Sequence, residues 1–322
     1  MSGRWLAGKA LASLLTLVFV IIFNFFLFRV MGDPTTQLAR LPRATPQEIE
    51  KLRHDYGLDK SLGGQFVDYV GDTARLDFGV SQRSRRTVWD EIKDALPWTL
   101  LLVGTGTLLA TLVGAWMGVI AATRRGRKED HGLLGFSLFT YAAPEYWIGI
   151  ILILVFAVWL GVLPAGLQQT PGEEFSSWLN EAANVAEHLI LPAIAIMLML
   201  LGQYFLIMRS SMVDVLTEDF ITVKRATGLP WDRVVSRHAV PNALLPLVTL
   251  SAIQFGAVVG GAITIETIFS WPGLGLLTFD AINDKDYPVL QGTFLIFSAG
   301  VILANFLADC LYFYLDPRVQ SK

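Results

Sequence analysis

The stretch RATGLPWDRVVSRHAVPNALLP, Arg225 to Pro246, places three arginines, one histidine and three prolines between two long runs almost free of charge. Spacing limits the chemistry such a cluster can do. A metal site or proton relay at His238 needs paired ligands, as in His-Glu-x-x-His, and the four histidines of the chain are all isolated. That leaves His238 a packing or docking role. GRWLAGKA, Gly3 to Ala10, has the glycines and lysine of a phosphate-cradling loop. Ala10, however, lacks the hydroxyl that would hold magnesium, no strand precedes it, and an apolar run follows at once. No nucleophile and base stand at catalytic spacing, so the chain reads as a non-enzyme with no cofactor of its own. The single Cys310 lies in an apolar run and offers neither a disulfide framework nor a thiolate metal site. What remains for the island is recognition.

A second set of chemically capable residues lies within the apolar runs. Burying an ionisable group in a membrane costs at least about 3 kcal/mol, so Glu145 and Glu266 are candidates to line a pathway or gate, with a structural role open for both and favoured for Glu145. Gln203, Gln254, Asn305 and Asp309 are polar enough to bond between helices. Of these, Gln203 and Gln254 join the pore candidates, Gln254 because it precedes the glycines Gly256, Gly260 and Gly261. Trp271 and Pro272 begin a turn-rich external segment, where a tryptophan at the membrane interface needs no special function.

The elements that must position these groups are membrane helices. The 322 residues are 53% hydrophobic and 16% charged, well below the charge content of soluble domains. Mean hydropathy is +0.50. The net charge of −3 gives no sign of a nucleic-acid partner. Six segments are long and apolar enough to cross a bilayer: Ala10–Phe28, Pro97–Ala122, Leu133–Leu163, Leu189–Met208, Leu244–Phe269 and Val289–Leu315. The first is too long for a signal-peptide core and no small-residue cleavage site follows it. Pro144 is expected to bend or break the third. The short loops on one side, with both termini, carry thirteen Lys and Arg, whereas two of the opposite loops carry only Lys285. Both termini and the island are therefore expected to be cytoplasmic.

The chain divides into a tail and first helix (1–31), an external subdomain (32–96) and a five-helix core (97–322) with a cytoplasmic loop at about 210–243. In the subdomain, Thr45, Pro46 and Glu48 read as an N-cap, first-turn proline and capping-box partner, with Gly57 ending that helix. GQFVDYVGDTARLDFG supplies a second helical piece and a turn. In the island, Gly228 is expected to end one helix in the left-handed region, and Pro230 and Asp232 to start another. Trp231, Val234, Val235 and His238 are expected on one face and Arg233 and Arg237 on another, with Pro241 terminating the helix. On periodicity alone a solvated positive-inside loop is the favoured reading.

The sequence itself resembles a known family. KRATGL followed by RHAVPNALLPLVT is similar to the cytoplasmic loop of ABC-importer permeases, closest to the dipeptide, oligopeptide and nickel branch. Gly228 takes the glycine of that pattern and Val240-Pro241 its Leu-Pro. Thr222, Val223 and Lys224 stand where the general pattern has Glu-Ala-Ala, and His238 replaces the first apolar residue of its ending. GDP at 32–34, LRHDYGLD, LDFGVS, SWPGLG, DYPVLQG and YLDPRV follow in the same order at compatible spacing, so the resemblance covers almost the whole chain.

It implies an all-α polytopic fold of six transmembrane helices, the type I importer architecture, with a small external subdomain between the first two. It implies half of a pore for short peptides, built with a second homologous permease and embedded in lipid. Two nucleotide-binding ATPase subunits would hold ATP and Mg, and an external substrate-binding lipoprotein would deliver cargo. The residues it assigns to ATPase coupling are Arg225, Ala226, Gly228, Leu229, Trp231, Asp232, Arg233, Arg237, His238, Pro241 and Asn242. It also implies that Trp271 and Pro272 lie at an outer gate and that the protein sits in the bacterial inner membrane. An oligosaccharide or nickel-complex importer is the alternative within the family. A secondary transporter is the alternative outside it, although the chain shows no inverted-repeat symmetry.

Overall fold

A computed structural model describes residues 3–31, 59–248, 250–251 and 263–315. The predicted helix at 45–57, Gln254 with its neighbouring glycines, and most of YLDPRV lie outside the described residues. In chain order the helices are α1 (Gly3–Met31), α2 (Leu62–Ala74), α3 (Val88–Thr123), α4 (Lys128–Ala142), α5 (Glu145–Leu152), α6 (Trp178–Leu216), α7 (Asp219–Ala226), α8 (Trp231–Val234), α9 (Val240–Ala243), α10 (Ile263–Ile268), α11 (Leu274–Asp284) and α12 (Tyr287–Leu315). Among the described residues the only β pairing is an isolated bridge between Val80 and Thr87.

α3 and α6 form the spine. They have 36 and 39 residues, so at 1.5 Å per residue each reaches about 55 Å, beyond a hydrocarbon core of about 30 Å. Both therefore start well before the expected apolar boundaries and carry Pro97 and Pro192 inside them. Thr87 caps α3 and Ser177 caps α6 through their hydroxyls. The two helices meet along a stripe of small residues on α3 at every fourth position: Gly106, Ala110, Gly114, Gly118 and Ala122. A Cβ on Gly106 would fall 2.6 Å from Ile196, and one on Gly114 2.6 Å from Tyr204. One on Gly118 would fall 2.7 Å from Met208. Leu108, Leu112 and Trp116, on the opposite face, are exposed and suited to lipid.

The expected third span is not one helix. α4 and the following Glu145–Trp159 helix meet at 105°, broken at Ala143 and Pro144. Ala143 is extended (ψ 137°) because the following proline ring crowds a helical conformation there, and Pro144 then serves as the N-cap of α5. α5 runs on into π-helical turns over Ile153–Trp159. Among the described residues α1, α3, α6 and α12 are each long and apolar enough to cross a membrane, and the bent pair makes a fifth candidate. The expected span Leu244–Phe269 is helical at both of its described ends.

α1 and α12 pair antiparallel. Lys9 meets Asp309 at 2.8 Å near one end, and Asn24 donates to the Gln291 carbonyl at 3.1 Å near the other. The start of α1 and the end of α12 thus lie on the same side. α2 is the helical piece expected from GQFVDYVGDTA. It is not free-standing: Phe66 and Tyr69 pack on Phe25, and the Tyr69 hydroxyl accepts from Asn24 at 2.9 Å.

Candidate functional site

The island is an arm hung from the end of α6. Met208 and Met212, on the last turns of α6, are fully buried with Ile221 of α7, Val234 of α8, Ala239, Ala243 and Leu247. α7 ends at Thr227, and Gly228 turns the chain with φ +81° while its N–H bonds to the Arg225 carbonyl at 3.0 Å. A left-handed residue here is what an Ala or Thr would resist, so the expected helix-ending glycine is in place. Pro230 caps α8, and the N–H groups of Arg233 and Val234 bond back to its carbonyl.

Two expectations about this helix are corrected. Pro241 does not end it. Val235–Ala239 form a π-helical turn and the helix continues through α9, with Pro241 in its first turn and the Leu244 N–H bonded to the Val240 carbonyl. A proline at the start of a helical segment removes no needed donor, and the wider turn before it accommodates the ring. The faces also differ. The π-turn shifts the register, so the buried side reads Val234, Ala239, Ala243, at steps of five and four. Trp231 is 41% exposed instead of sharing the buried face of Val234.

Facing outward are Arg225, Ala226, Gly228, Trp231, Asp232, Arg233, Arg237, Pro241 and Asn242, while Leu229 and His238 are half-buried. The Arg225 guanidinium lies over the Trp231 ring at 5.2 Å, fixing two large exposed side chains against each other across the Gly228 turn. Asn242 donates to the His238 carbonyl at 2.7 Å, which holds the backbone rather than any ligand. Phe220 and Val223 add exposed apolar surface on α7. The arm therefore has a dry inner core and an outer face of arginine, aromatic and apolar groups, the composition of a protein-docking surface.

The intramembrane candidates separate. Glu266, on α10, is fully buried and has a structural environment. Its carboxylate accepts from the Thr99 hydroxyl at 2.7 Å, from the Gly275 N–H at 2.6 Å and from the Leu276 N–H at 3.1 Å. It thereby satisfies the first turn of α11, whose orphan N–H groups it meets with negative charge. Trp271 is fully buried too, its indole N–H donating to the Trp98 carbonyl at 2.9 Å with the two rings edge to face at 5.7 Å. It locks the segment between α10 and α11 to α3 and is no exposed contact. Pro272 beside it is half-buried. Glu145 sits in the first turn of α5, half-exposed at the break, between exposed Tyr141, Tyr146 and Trp147. Gln203 is half-buried on α6. Among the described residues no cluster of His, Cys, Asp or Glu is arranged to hold a metal.

Against known proteins, residues 114–321 match the family described as the binding-protein-dependent transport system inner membrane component, and residues 3–103 match its N-terminal companion. The chain belongs to this family. It is 38% identical to the di/tripeptide transport system permease protein DppB of Pseudomonas aeruginosa (strain UCBPP-PA14), over 94% of each chain. It is 36% identical to the dipeptide transport system permease protein DppB of Escherichia coli (strain K12), over 92% of each. It is 37% identical to the glutathione transport system permease protein GsiC of the same strain, over 98% of each. The protein is thus a multi-pass ABC-importer permease of the inner membrane.

Two features of this permease escaped the sequence reading. The small-residue stripe on α3 has a signal in the sequence, recurrence at every fourth position. The second has no local signature. Asp130, three residues before the apolar run of α4, accepts hydrogen bonds from Nε and Nη2 of Arg209 at 2.7 and 2.8 Å, 79 positions away. The Gly126 N–H adds a third bond at 2.9 Å. Hydrogen bonding from Arg209 holds the Asp130 carboxyl down to about 2, against the desolvation that opposes it.

Proposed function

We propose that this permease forms half of a translocation pore for short peptides and is driven by separate ATPase subunits through the arm at 225–241. The observation that carries this reading is the two-sided construction of the arm. A fully buried core joins it to α6 and α3, while Arg225, Trp231, Arg233 and Arg237 are presented outward. A partner seated on that face moves a rigid extension of α6 and so biases the bundle between conformations. ATP and Mg belong to the ATPases. A second homologous permease completes the pore, and an external binding lipoprotein delivers cargo. The termini and the arm face the cytoplasm, as the Lys and Arg distribution favours. Short peptides are the favoured cargo because the relatives matched over nearly their full length are named for dipeptides, tripeptides and glutathione.

The test is a gentle detergent pull-down of this chain from its native membrane, followed by reconstitution of the recovered complex with a tripeptide and a maltotriose as competing cargoes. Recovery of a second permease with Walker-motif ATPases, and ATP-dependent uptake of the tripeptide alone, is the expected result. Recovery of the chain alone, moving solute on an ion gradient, overturns the reading.

A further inference from the structure

We infer that Asp130 and Arg209 are the transmission joint of the permease, the pair of positioning residues through which movement of the arm reaches α4 and the broken α4–α5 element. This rests on the coupling role proposed above. Arg209 projects from α6 between Met208 and Met212, the two residues that seat the arm. Its guanidinium does not face the arm. It reaches sideways to the first turn of α4 and meets Asp130 with two parallel bonds, at 2.7 Å from Nε and 2.8 Å from Nη2. Such a fork fixes direction as well as distance. Asp130 is only 3% exposed, and its second oxygen also takes the N–H of Gly126, whose φ of +78° closes the turn between α3 and α4. One carboxylate thus ties the α3–α4 turn, the start of α4 and the end of α6 together.

A second contact makes the joint a two-point attachment. Seven residues before Arg209, Gly202 of α6 lies against α4 so closely that a Cβ there would fall 2.6 Å from the Ser137 carbonyl oxygen. α4 is therefore held to α6 at Gly202 and again at Arg209, and cannot stay behind when α6 tilts. At the far end of α4 stands the 105° break that carries Glu145. A buried ion pair is poor means of gaining stability, because well-packed apolar residues of similar volume serve as well or better. What the pair supplies and apolar packing does not is a fixed geometry between two helices that must move as one.

The experiment uses the whole complex in proteoliposomes, with the ATPases and the binding protein present. Asp130→Asn, Arg209→Gln and the exchange D130R/R209D are compared with the parent. Readouts are ATPase retention on the permease, the stimulation of ATP hydrolysis by cargo-loaded binding protein, and peptide uptake per ATP. In D130N the ATPases stay bound, while stimulation and uptake fall together by about ten-fold, the size of a typical coupling between sites. The exchange restores a substantial part of both. Wild-type stimulation and uptake in D130N overturn the joint, as does an exchange no better than either single variant at equal assembly. Should D130N fail to assemble, D130E keeps the charge and displaces it by one methylene. Normal uptake per ATP in an assembled D130E, or failure of D130E to assemble as well, assigns the pair to folding alone and overturns the joint. Failure of the coupling reading looks different: there Gly228→Pro, which disrupts the docking face, leaves ATPase retention unchanged.

Discussion

The Thr99 hydroxyl and the Glu266 carboxylate bond at 2.7 Å across 167 residues of sequence, and the same Thr99 oxygen accepts the Leu274 N–H at 2.7 Å. Together they build the floor on which α11 starts. Gly273 and Gly275 follow from this, since a Cβ on Gly273 would overlap the carboxylate and one on Gly275 would fall 2.6 Å from Ile263. Glu266→Gln replaces one acceptor oxygen with a donor facing N–H groups. It is expected to destabilise the permease by about 2 kcal/mol, the range for buried hydrogen bonds to a charged group. A thermal melt in detergent checks this, and ATPase retention should not change because the arm is untouched. An unaltered melting temperature would remove Glu266 from its structural role and return it to the pathway candidates.

Gly228 separates backbone from contact. Its φ is +81° and no atom lies within 4 Å of where a Cβ would be, so substitution there meets strain and no clash. Gly228→Ala should cost about 1–2 kcal/mol locally, the price of a left-handed alanine, and weaken ATPase retention only modestly. Gly228→Pro cannot adopt the angle at all, because the ring holds φ near −65°. It should abolish ATPase retention while α6 and α3 stay folded. Co-purification of the ATPase with each variant, beside circular dichroism of the permease, tells the two apart.

Much of this was legible because the physics is local. Gly228, Pro230 and Pro144 act on their own backbone, and each produced the turn, cap or break its chemistry requires. The apolar runs were legible for the same reason, although α3 and α6 outran them, since helices continue into water wherever capping and packing allow. What was not legible depends on distant partners. Trp271 reads as an interfacial aromatic until Trp98 is seen above it, and Glu266 reads equally as a gate or a structural group until Thr99 and the start of α11 surround it. The π-turn at Val235–Ala239 has no signal in residue type, yet it shifts the register so that Ala239 and Ala243, not His238, follow Val234 on the buried side, while Trp231 ahead of it lies exposed.

That reassignment makes Trp231 the sharpest test of the docking face. Its ring carries Arg225 at 5.2 Å, in contact with water on the permease alone. Trp231→Ala should change the melting temperature little, an exposed cation–π pair being worth only about 0.5–1 kcal/mol. ATPase retention should fall by about ten-fold or more, as expected for an aromatic anchor at an interface. Val234→Asp is the counterpart, since it buries an unpaired charge in the arm's core and should lose both stability and retention. Equal retention in W231A and the parent would mean the ATPase docks elsewhere.

The Asp130–Arg209 pair makes a prediction about acid. The Asp130 carboxyl sits at about 2 in the folded permease against an ordinary 3.8, with the bonds from Arg209 as the chief cause. A depressed folded value means the unfolded chain takes up the proton first as pH falls. The stabilisation is therefore complete above about pH 4 and drains away between about pH 4 and pH 2. Melting temperatures of the parent and of Asp130→Asn, taken in detergent from pH 6 to pH 2, should differ by a constant amount down to pH 4 and then converge. A gap that stays constant to pH 2 would show that Asp130 does not stabilise the permease as a carboxylate. A gap that closes already near pH 6 would assign the effect to a histidine.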